Sequence, residues 1–262
     1  MAPPMPIGVW GDVTSSVDWC EPNYEWTPYI AEFFNSWSSM AMVVLGEACA
    51  RMNPTGNAAF TLLGRSITVV GIGSWLFHAT LKYPMQMLDE LPMLWAISIA
   101  CYITVTTQYH VNRERFKLLL TLWTAFVSVL TAGFSGKVQF VLFQASFNGA
   151  SAVMLYLCWR AKLELAESQM EHAARLFFSG VRWYLAAGAV WLIDTNLCPY
   201  INGRDAASVL PLNLQLHAWW HVMASLGLVY LVVMVMAHYC MLKSIPFKLR
   251  YILGVFPYIH AN

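Results

Sequence analysis

Three histidines lie at the ends of long apolar stretches of this chain. His217 and His221 open the last stretch, and His78 closes an earlier one, with Asp89 and Glu90 a short loop beyond it. Residues four apart project from the same face of a helix, so His217 and His221 can bind one ion. The pattern predicts a metal site built inside a membrane from the three histidines and the adjacent acid. Such a site predicts a hydrolase.

Zinc suits this set of ligands. Three neutral imidazoles leave the fourth tetrahedral position to water, which is the arrangement of catalytic rather than structural sites. A single intramembrane histidine is often a hydrogen-bonded packing residue, and this alternative stays open for His78 taken alone. Three histidines at one depth with an adjacent acid favour a functional site, because ionisable groups in a membrane are costly and usually functional.

The composition supports a membrane setting. Of the 262 residues, 58% are hydrophobic and 11% are charged, whereas soluble globular chains carry roughly 25% charged residues. The net charge of +1 argues against nucleic acid as a partner, because phosphate-binding surfaces need an excess of basic residues. Nothing in the sequence indicates an obligate protein partner.

Seven apolar segments predict seven membrane helices. Most are close to the roughly 20 residues that a helix needs to cross a bilayer, and a helix satisfies its own backbone amides. We therefore predict an all-α, polytopic seven-helix bundle that forms one domain over 1–262, with an outer segment at 1–28 and a cytosolic tail at 241–262. The longest breaks are expected at 160–175 and 198–214. The segments are 29–50, 58–80, 86–107, 116–133, 139–159, 177–197 and 215–240.

The basic residues predict the orientation, because lysine and arginine are retained on the cytoplasmic side. An outer N-terminus places eleven of them on the inner side and three on the outer side. Arg65 lies well inside a span and is expected to snorkel or to pair with an acid such as Glu47. The inner residues are Arg51, Arg113, Arg115, Lys117, Arg160, Lys162, Arg175, Arg182, Lys243, Lys248 and Arg250, and the outer ones are Lys82, Lys137 and Arg204.

Two cysteines fall on the outer side in this topology. Cys20 and Cys198 then face a potentially oxidising compartment, where disulfides persist, so we predict a bridge between them; two free thiols are the alternative.

The same topology places His78, Asp89 and His217 at the outer leaflet. Their common depth follows from the predicted topology and was not used to predict it. The other histidines are interpreted as ordinary interfacial residues, and these are His110, His172, His238 and His260.

The outer N-terminal segment carries four side chains with oxygen ligands around a turn at Pro22. Hard oxygen donors in a compact loop suit calcium, which takes six to eight oxygens. From the residues alone, a solvated acidic turn is the alternative. The four residues are Asp18, Glu21, Asn23 and Glu32.

Five sequence blocks contain the candidate zinc and calcium ligands and Asp89, and they resemble signature blocks of the alkaline ceramidases. They are scattered along the sequence, so the resemblance covers nearly the whole chain. A Ser-x-x-x-His helix end alone would be a weak signal, because it also occurs in adiponectin-receptor-like proteins of the wider seven-helix hydrolase superfamily. The blocks are DWCEPNY at 18–24, YIAEF at 29–33, GIGSWLFHATLKY at 71–83, LDELPM at 88–93 and QLHAWWH at 215–221.

This resemblance implies an intramembrane zinc amidase that cleaves the N-acyl bond of ceramide in the endoplasmic reticulum or Golgi. By position, His78, His217 and His221 would hold zinc. Asp89 would act as general base and then general acid, and Ser74 would help to stabilise the oxyanion. Two alternatives stay open: Asp89 as an acceptor that orients a histidine, and Ser74 as a small residue that allows close helix packing.

The resemblance also implies that calcium binds Asp18, Glu21, Asn23, Glu32 and the carbonyl oxygen of Trp19, and that it modulates activity. A different class of function remains as an alternative, namely a seven-helix lipid-sensing receptor with structural zinc. A related hydrolase of lipid esters or GPI lipids is another.

Overall fold

The computed structural model describes residues 8–261 and consists of seven helices followed by a β-hairpin. The two strands, β1 and β2, pair antiparallel, from Phe247 opposite Ala261 to Ile252 opposite Phe256. In chain order the elements are α1 (Phe33–Arg51), α2 (Ala58–Thr80), α3 (Tyr83–Gln108), α4 (Arg113–Ala132), α5 (Gly136–Glu167), α6 (Glu171–Ile201), α7 (Leu216–Leu242), β1 (Phe247–Ile252) and β2 (Phe256–Ala261).

Six helices, α2 to α7, are long and apolar enough to cross a membrane within the described part of the chain. Large apolar side chains cover their outward faces; on α4, Leu122, Phe126 and Val129 are 57%, 65% and 74% exposed. Soluble monomers rarely expose contiguous apolar patches of this kind. The predominantly helical, polytopic fold agrees with the prediction, while a membrane crossing by α1 stays a prediction.

The polar residues of α1 explain why this helix is less apolar than the others. Asn35, Ser36 and Ser39 are fully buried, so the polar face of α1 points into the bundle. The hydroxyl groups of Ser36 and Ser39 donate to the carbonyl oxygens of Glu32 and Asn35. Burial of such groups is tolerated because they are hydrogen-bonded, and α1 thereby carries polar side chains towards α2 and α7.

Glycines bring α2 close to its neighbours. A Cβ atom at Gly73 would overlap the carbonyl group of Leu88, and one at Gly71 would lie 2.7 Å from the backbone nitrogen of Val43. Only the absence of side chains at these positions allows the backbones to approach so closely. The contact at Gly73 places the residue after Leu88, which is Asp89, beside the C-terminal part of α2.

The long break predicted at 160–175 is wrong. Helix α5 continues to Glu167 and α6 begins at Glu171, so that only three residues connect them. The backbone N–H of Met170 donates to the carbonyl oxygen of Leu165 and closes this turn. Hydropathy does not show the two helix extensions, because it marks only the apolar spans. The helices continue beyond these spans, and charged residues there face solvent.

The C-terminal tail departs from the predicted all-α fold. Strands β1 and β2 form a hairpin whose Ile259 is 3% exposed and packs into the main hydrophobic core. The hydroxyl group of Tyr230 on α7 donates to the carbonyl oxygen of Val255 at 2.6 Å. The tail is therefore folded back along α7.

Of the two environments predicted for Arg65, pairing with Glu47 is not found and snorkelling stays a prediction, whereas the environment predicted for His238 is wrong. Glu47 pairs with Arg51 on the next turn of α1 at 2.6 Å and not with Arg65, which is exposed. His238 is not interfacial, because it is 1% exposed and its Nε2 atom lies 2.8 Å from a carboxylate oxygen of Glu164.

Candidate metal centre and adjoining cavity

Three buried histidines face one another at one end of the bundle. His78 lies in the last turn of α2, while His217 and His221 lie in the first two turns of α7, and each is at most 3% exposed. Their ring centroids are 4.8, 4.9 and 5.1 Å apart, and their candidate ligand atoms all lie within 4.8 Å of one another. Across residues 8–261, this is the one group of three or more potential ligands at such spacing. The structure thus brings together the three residues that were predicted to bind zinc.

Polar groups next to α1 orient two of the three rings. The carboxylate of Glu32 contacts Nδ1 of His78, and Oγ of Ser38 lies 2.8 Å from Nδ1 of His221. Both contacts leave the opposite ring nitrogen, Nε2, for a ligand. Histidines that bind metals characteristically use one nitrogen for the ion and hydrogen-bond through the other. These residues therefore fit a metal ion held by imidazoles.

His217 is positioned differently from the other two. The indole ring of Trp19 stacks on its imidazole, with centroids 3.9 Å apart and planes inclined by 22°. Its Nδ1 atom is buried and has no hydrogen-bond partner. Asp194 of α6, which is 2% exposed, accepts a hydrogen bond from the backbone N–H of Cys20 and lies next to the backbone N–H of His217. Asp194 thus joins the N-terminal segment to the start of α7, where a helix terminus favours a negative charge.

Asp89 and Ser74 line the same space from α3 and α2. Ser74 is 1% exposed, lies next to the carboxyl group of Asp89, and accepts a hydrogen bond from the hydroxyl group of Ser39 at 3.0 Å. Asp89 is not a partner of His78 or His221 at Nδ1, because other side chains hold those atoms. The glycines beside Ser74 provide the close helix contacts.

A cavity of about 360 Å³ runs from the histidines into the bundle. Its polar end contains Ser74, Asp89, Glu90 and the histidine cluster, and mostly apolar side chains of α2, α3, α5, α6 and α7 line the remainder. Ile103, which also lines it, follows Asp89 by 14 residues on α3, or about 21 Å at the rise of an α-helix. A mostly apolar cavity with polar groups at one end suits a molecule with a polar centre and long hydrocarbon chains.

The predicted calcium ligands lie together in the N-terminal segment but make different contacts. Glu21 is 4% exposed and accepts hydrogen bonds from the backbone N–H groups of Phe34 and Asn35 at the start of α1. Burial raises the pKa of Glu21 to about 7. No basic side chain pairs with Glu21 among the described residues. A buried acid without a countercharge fits a site for a cation.

Among the other predicted calcium ligands, Asn23 has one side-chain atom without a hydrogen-bond partner. The amide nitrogen of Asn23 donates to Asp18 at 3.1 and 3.2 Å, whereas the Oδ1 atom of Asn23 is buried and unpaired. Glu32 accepts a hydrogen bond from the backbone N–H of Trp19 at 3.0 Å as well as contacting His78. Glu32 therefore touches both the predicted calcium loop and the histidine cluster. The acids do not converge as closely as the histidines do.

Cys20 and Cys198 form a disulfide, with Cα atoms 5.4 Å apart. It joins the N-terminal segment to α6 near Asp194. The amide nitrogen of Asn213, just before α7, donates to the carbonyl oxygen of Cys20 at 2.9 Å. The bridge therefore holds the segment that carries Trp19 against the helix ends that carry the histidines.

Comparison with known proteins identifies the family. A family model described as ceramidase matches residues 11–260 of the chain. The chain belongs to the ceramidase family. The predicted resemblance is thereby confirmed.

Individual ceramidases are similar over most of their length. Alkaline ceramidase 3 of Mus musculus is 29% identical over 255 residues, which cover 95% of this chain and 93% of the relative. An alkaline ceramidase of Saccharomyces cerevisiae is 32% identical over 252 residues, which cover 86% and 77%. An alkaline ceramidase of Arabidopsis thaliana is 29% identical over 256 residues, which cover 95% and 94%.

The sequence reasoning missed several residues of this ceramidase centre. Ser38 and Ser39 lie in the predicted span 29–50, and no role was predicted for them. Asp194 carried a usable signal, because it is an acid inside the predicted span 177–197 and intramembrane acids are usually functional. The contacts of Glu32 with His78 and of Trp19 with His217 had no signal in the sequence, since they join residues 46 and about 200 positions apart.

Proposed function

We propose that this ceramidase is a zinc-dependent intramembrane amidase that hydrolyses the N-acyl bond of ceramides to a sphingoid base and a free fatty acid. The observation that carries the proposal is the cluster of His78, His217 and His221 beside Asp89 at the polar end of a long apolar cavity. Family membership indicates ceramide as the substrate, as the names of the relatives do for those proteins. A linear amide with two hydrocarbon chains also matches the shape of the cavity.

Bound by His78, His217 and His221, zinc would supply a Lewis acid for the amide carbonyl and would lower the pKa of water to about 7. Asp89 accepts the proton of the attacking water and returns it to the leaving amine. The hydroxyl of Ser74 accepts a hydrogen bond from Ser39, so its own proton is available to the developing oxyanion. The apolar wall of the cavity excludes bulk water and holds the chains.

The test of the proposal uses the purified protein with ceramide and, in parallel, with a diacyl phospholipid and a GPI lipid. Free fatty acid is measured by mass spectrometry, and zinc is measured in the same sample. We expect fatty acid from ceramide alone, with zinc present. Turnover of the phospholipid or GPI lipid with ceramide left intact would instead support the related ester hydrolase. Saturable binding of lipid without release of fatty acid would support a receptor.

We further propose that calcium binds the N-terminal loop through Asp18, Glu21, Asn23, Glu32 and the carbonyl of Trp19. Glu32 and Trp19 also contact His78 and His217. A cation that fixes the loop would therefore fix the rings of two zinc ligands. This contact supports modulation of activity by calcium.

Changing Asp18 to asparagine tests the calcium site. Asp18 is exposed and its described side-chain hydrogen bonds join it to Asn23 in the same segment, so this change spares the fold better than a change at Glu21. Loss of one charged ligand is expected to raise the calcium concentration for half-maximal activity about tenfold. The measurement is a calcium titration of activity at constant zinc. Asp12→Asn, in the same segment but outside the set, is the control, and an equal response of both variants would exclude the site.

We also propose that α1 crosses the membrane with the other six helices, in the endoplasmic reticulum or Golgi, with a lumenal N-terminus and a cytosolic C-terminus. The bias of basic residues supports this orientation. An N-glycosylation acceptor inserted into the segment 202–215 is expected to be modified, and one inserted after Leu242 is not. The reverse pattern would overturn the orientation.

A further inference from the structure

A second buried acid, Glu90, lines the cavity next to Asp89 and takes no part in the metal centre. It is 6% exposed, and two amide side chains that are fully buried hold it. The Nε2 atom of Gln86 donates to Oε1 of Glu90 at 2.8 Å, and the Nε2 atom of Gln139 donates to Oε2. Gln86 lies on the same helix as Glu90, whereas Gln139 reaches it from α5.

Each hydrogen bond in the network around Glu90 has a defined donor and a defined acceptor. Gln86 also donates to Oε1 of Gln139 at 3.0 Å, and Oε1 of Gln86 accepts from the backbone N–H of Ser16 at 2.6 Å. The hydroxyl of Ser16 in turn accepts from the backbone N–H of Gly136 at 2.9 Å. Each amide is therefore fixed by partners on both sides. Both oxygens of Glu90 receive an N–H donor, and no basic side chain pairs with Glu90 in the described part of the chain.

A carboxyl group held in this way keeps unused acceptor capacity. Its two oxygens offer about four lone-pair sites, and the amides occupy two of them. The remaining lone-pair sites are on the carboxyl oxygens of Glu90, which lines the cavity wall and directly follows Asp89 in the sequence. A ligand group that donates a hydrogen bond satisfies them, whereas a carbonyl oxygen there would meet acceptors only.

We propose that Glu90, oriented by Gln86 and Gln139, accepts a hydrogen bond from a hydroxyl group of the sphingoid base and so selects substrates that carry this hydroxyl. The inference rests on the proposed ceramide hydrolysis. It concerns the base rather than the fatty acid, because hydroxyl groups are the donors that the base carries close to its amide. Glu90 is then a specificity residue, distinct from Asp89, which acts on the reacting bond.

The first measurement needs no variant. The purified wild-type protein is given ceramide, a 1-deoxyceramide and a 3-deoxyceramide with the same fatty acid, and kcat/KM is measured for each. A hydrogen bond to a carboxyl group predicts that kcat/KM falls about 10- to 100-fold for the analogue that lacks the recognised hydroxyl. The two analogues show which hydroxyl is bound. Equal kcat/KM for all three substrates would overturn the proposal, and hydrolysis of none of them would count against the proposed function itself.

The second measurement assigns the discrimination to Glu90. In Glu90→Gln the preference for ceramide over the sensitive analogue is expected to shrink to less than about threefold, because the amide presents a donor where the carboxyl group presented an acceptor. A purely structural role would lower kcat/KM equally for all substrates and keep the preference, which would refute the assignment. Glu164→Gln is the matched control, since Glu164 is a hydrogen-bonded acid outside the cavity, and this variant should keep the wild-type preference.

Discussion

Replacing His217 with alanine is expected to remove zinc from the purified protein and to lower ceramide hydrolysis at least about a thousandfold. Two imidazoles would remain, and a structural or catalytic zinc site needs three or four protein ligands. The ring that is lost is also the one on which Trp19 stacks. The measurements are zinc per chain by elemental analysis, expected near one in the wild type, and release of fatty acid from ceramide.

His238→Ala controls for the loss of a buried imidazole. His238 lies on the same helix, α7, is 1% exposed and makes its hydrogen bond to Glu164 at the other end. Both variants are expected to lower the melting temperature, because each removes a buried ring. Only His217→Ala should lose zinc. If His217→Ala keeps its zinc and its activity, the three histidines do not form the metal centre.

The sequence predicted the members of the histidine cluster because their positions follow from topology. A residue at the end of an apolar span lies at a membrane surface, and antiparallel spans bring alternate ends to the same surface. His78, Asp89 and His217 therefore had to lie at one depth if the segments were helices. The depth did not determine which helices are neighbours, and the approach of α3 to α2 depends on the local contact at Gly73.

The partners of the histidines were beyond the reach of this reasoning. Glu32 was predicted as a calcium ligand only, yet its carboxylate contacts His78. No role was predicted for Ser38, and it is the partner of His221. Both contacts depend on the rotation of α1 about its axis, which packing determines and which hydropathy does not show for a helix with polar residues on its buried face.

The hairpin of the tail was missed for a related reason. Strand β1 alternates partly buried and exposed residues from Phe247 to Arg250, but the tail follows a long helix and is rich in basic residues. A short strand needs a surface on which to pack before it is stable. That surface is the side of α7, where the hydroxyl group of Tyr230 donates to the carbonyl oxygen of Val255. The sequence of the tail alone gives no information about this surface.

Asp89→Asn is expected to leave zinc bound and to lower kcat for ceramide by about 10²- to 10⁴-fold, the usual contribution of a general acid–base. The change keeps the shape of the side chain and still allows a hydrogen bond with Ser74. It removes the group that takes up and returns the proton. Fatty acid release and zinc content are measured on the same preparation.

Glu32→Gln separates the acid–base role of Asp89 from the role of orienting a metal ligand. The carboxylate of Glu32 contacts Nδ1 of His78, and loss of such a partner typically costs 10- to 100-fold in metal affinity or activity. We therefore expect Glu32→Gln to weaken zinc binding in competition with a chelator and to regain activity when zinc is added at saturating calcium. Asp89→Asn should gain nothing from added zinc. If Asp89→Asn instead loses zinc and is rescued by it, Asp89 belongs with the residues that hold the metal, and the proton must be carried by another group.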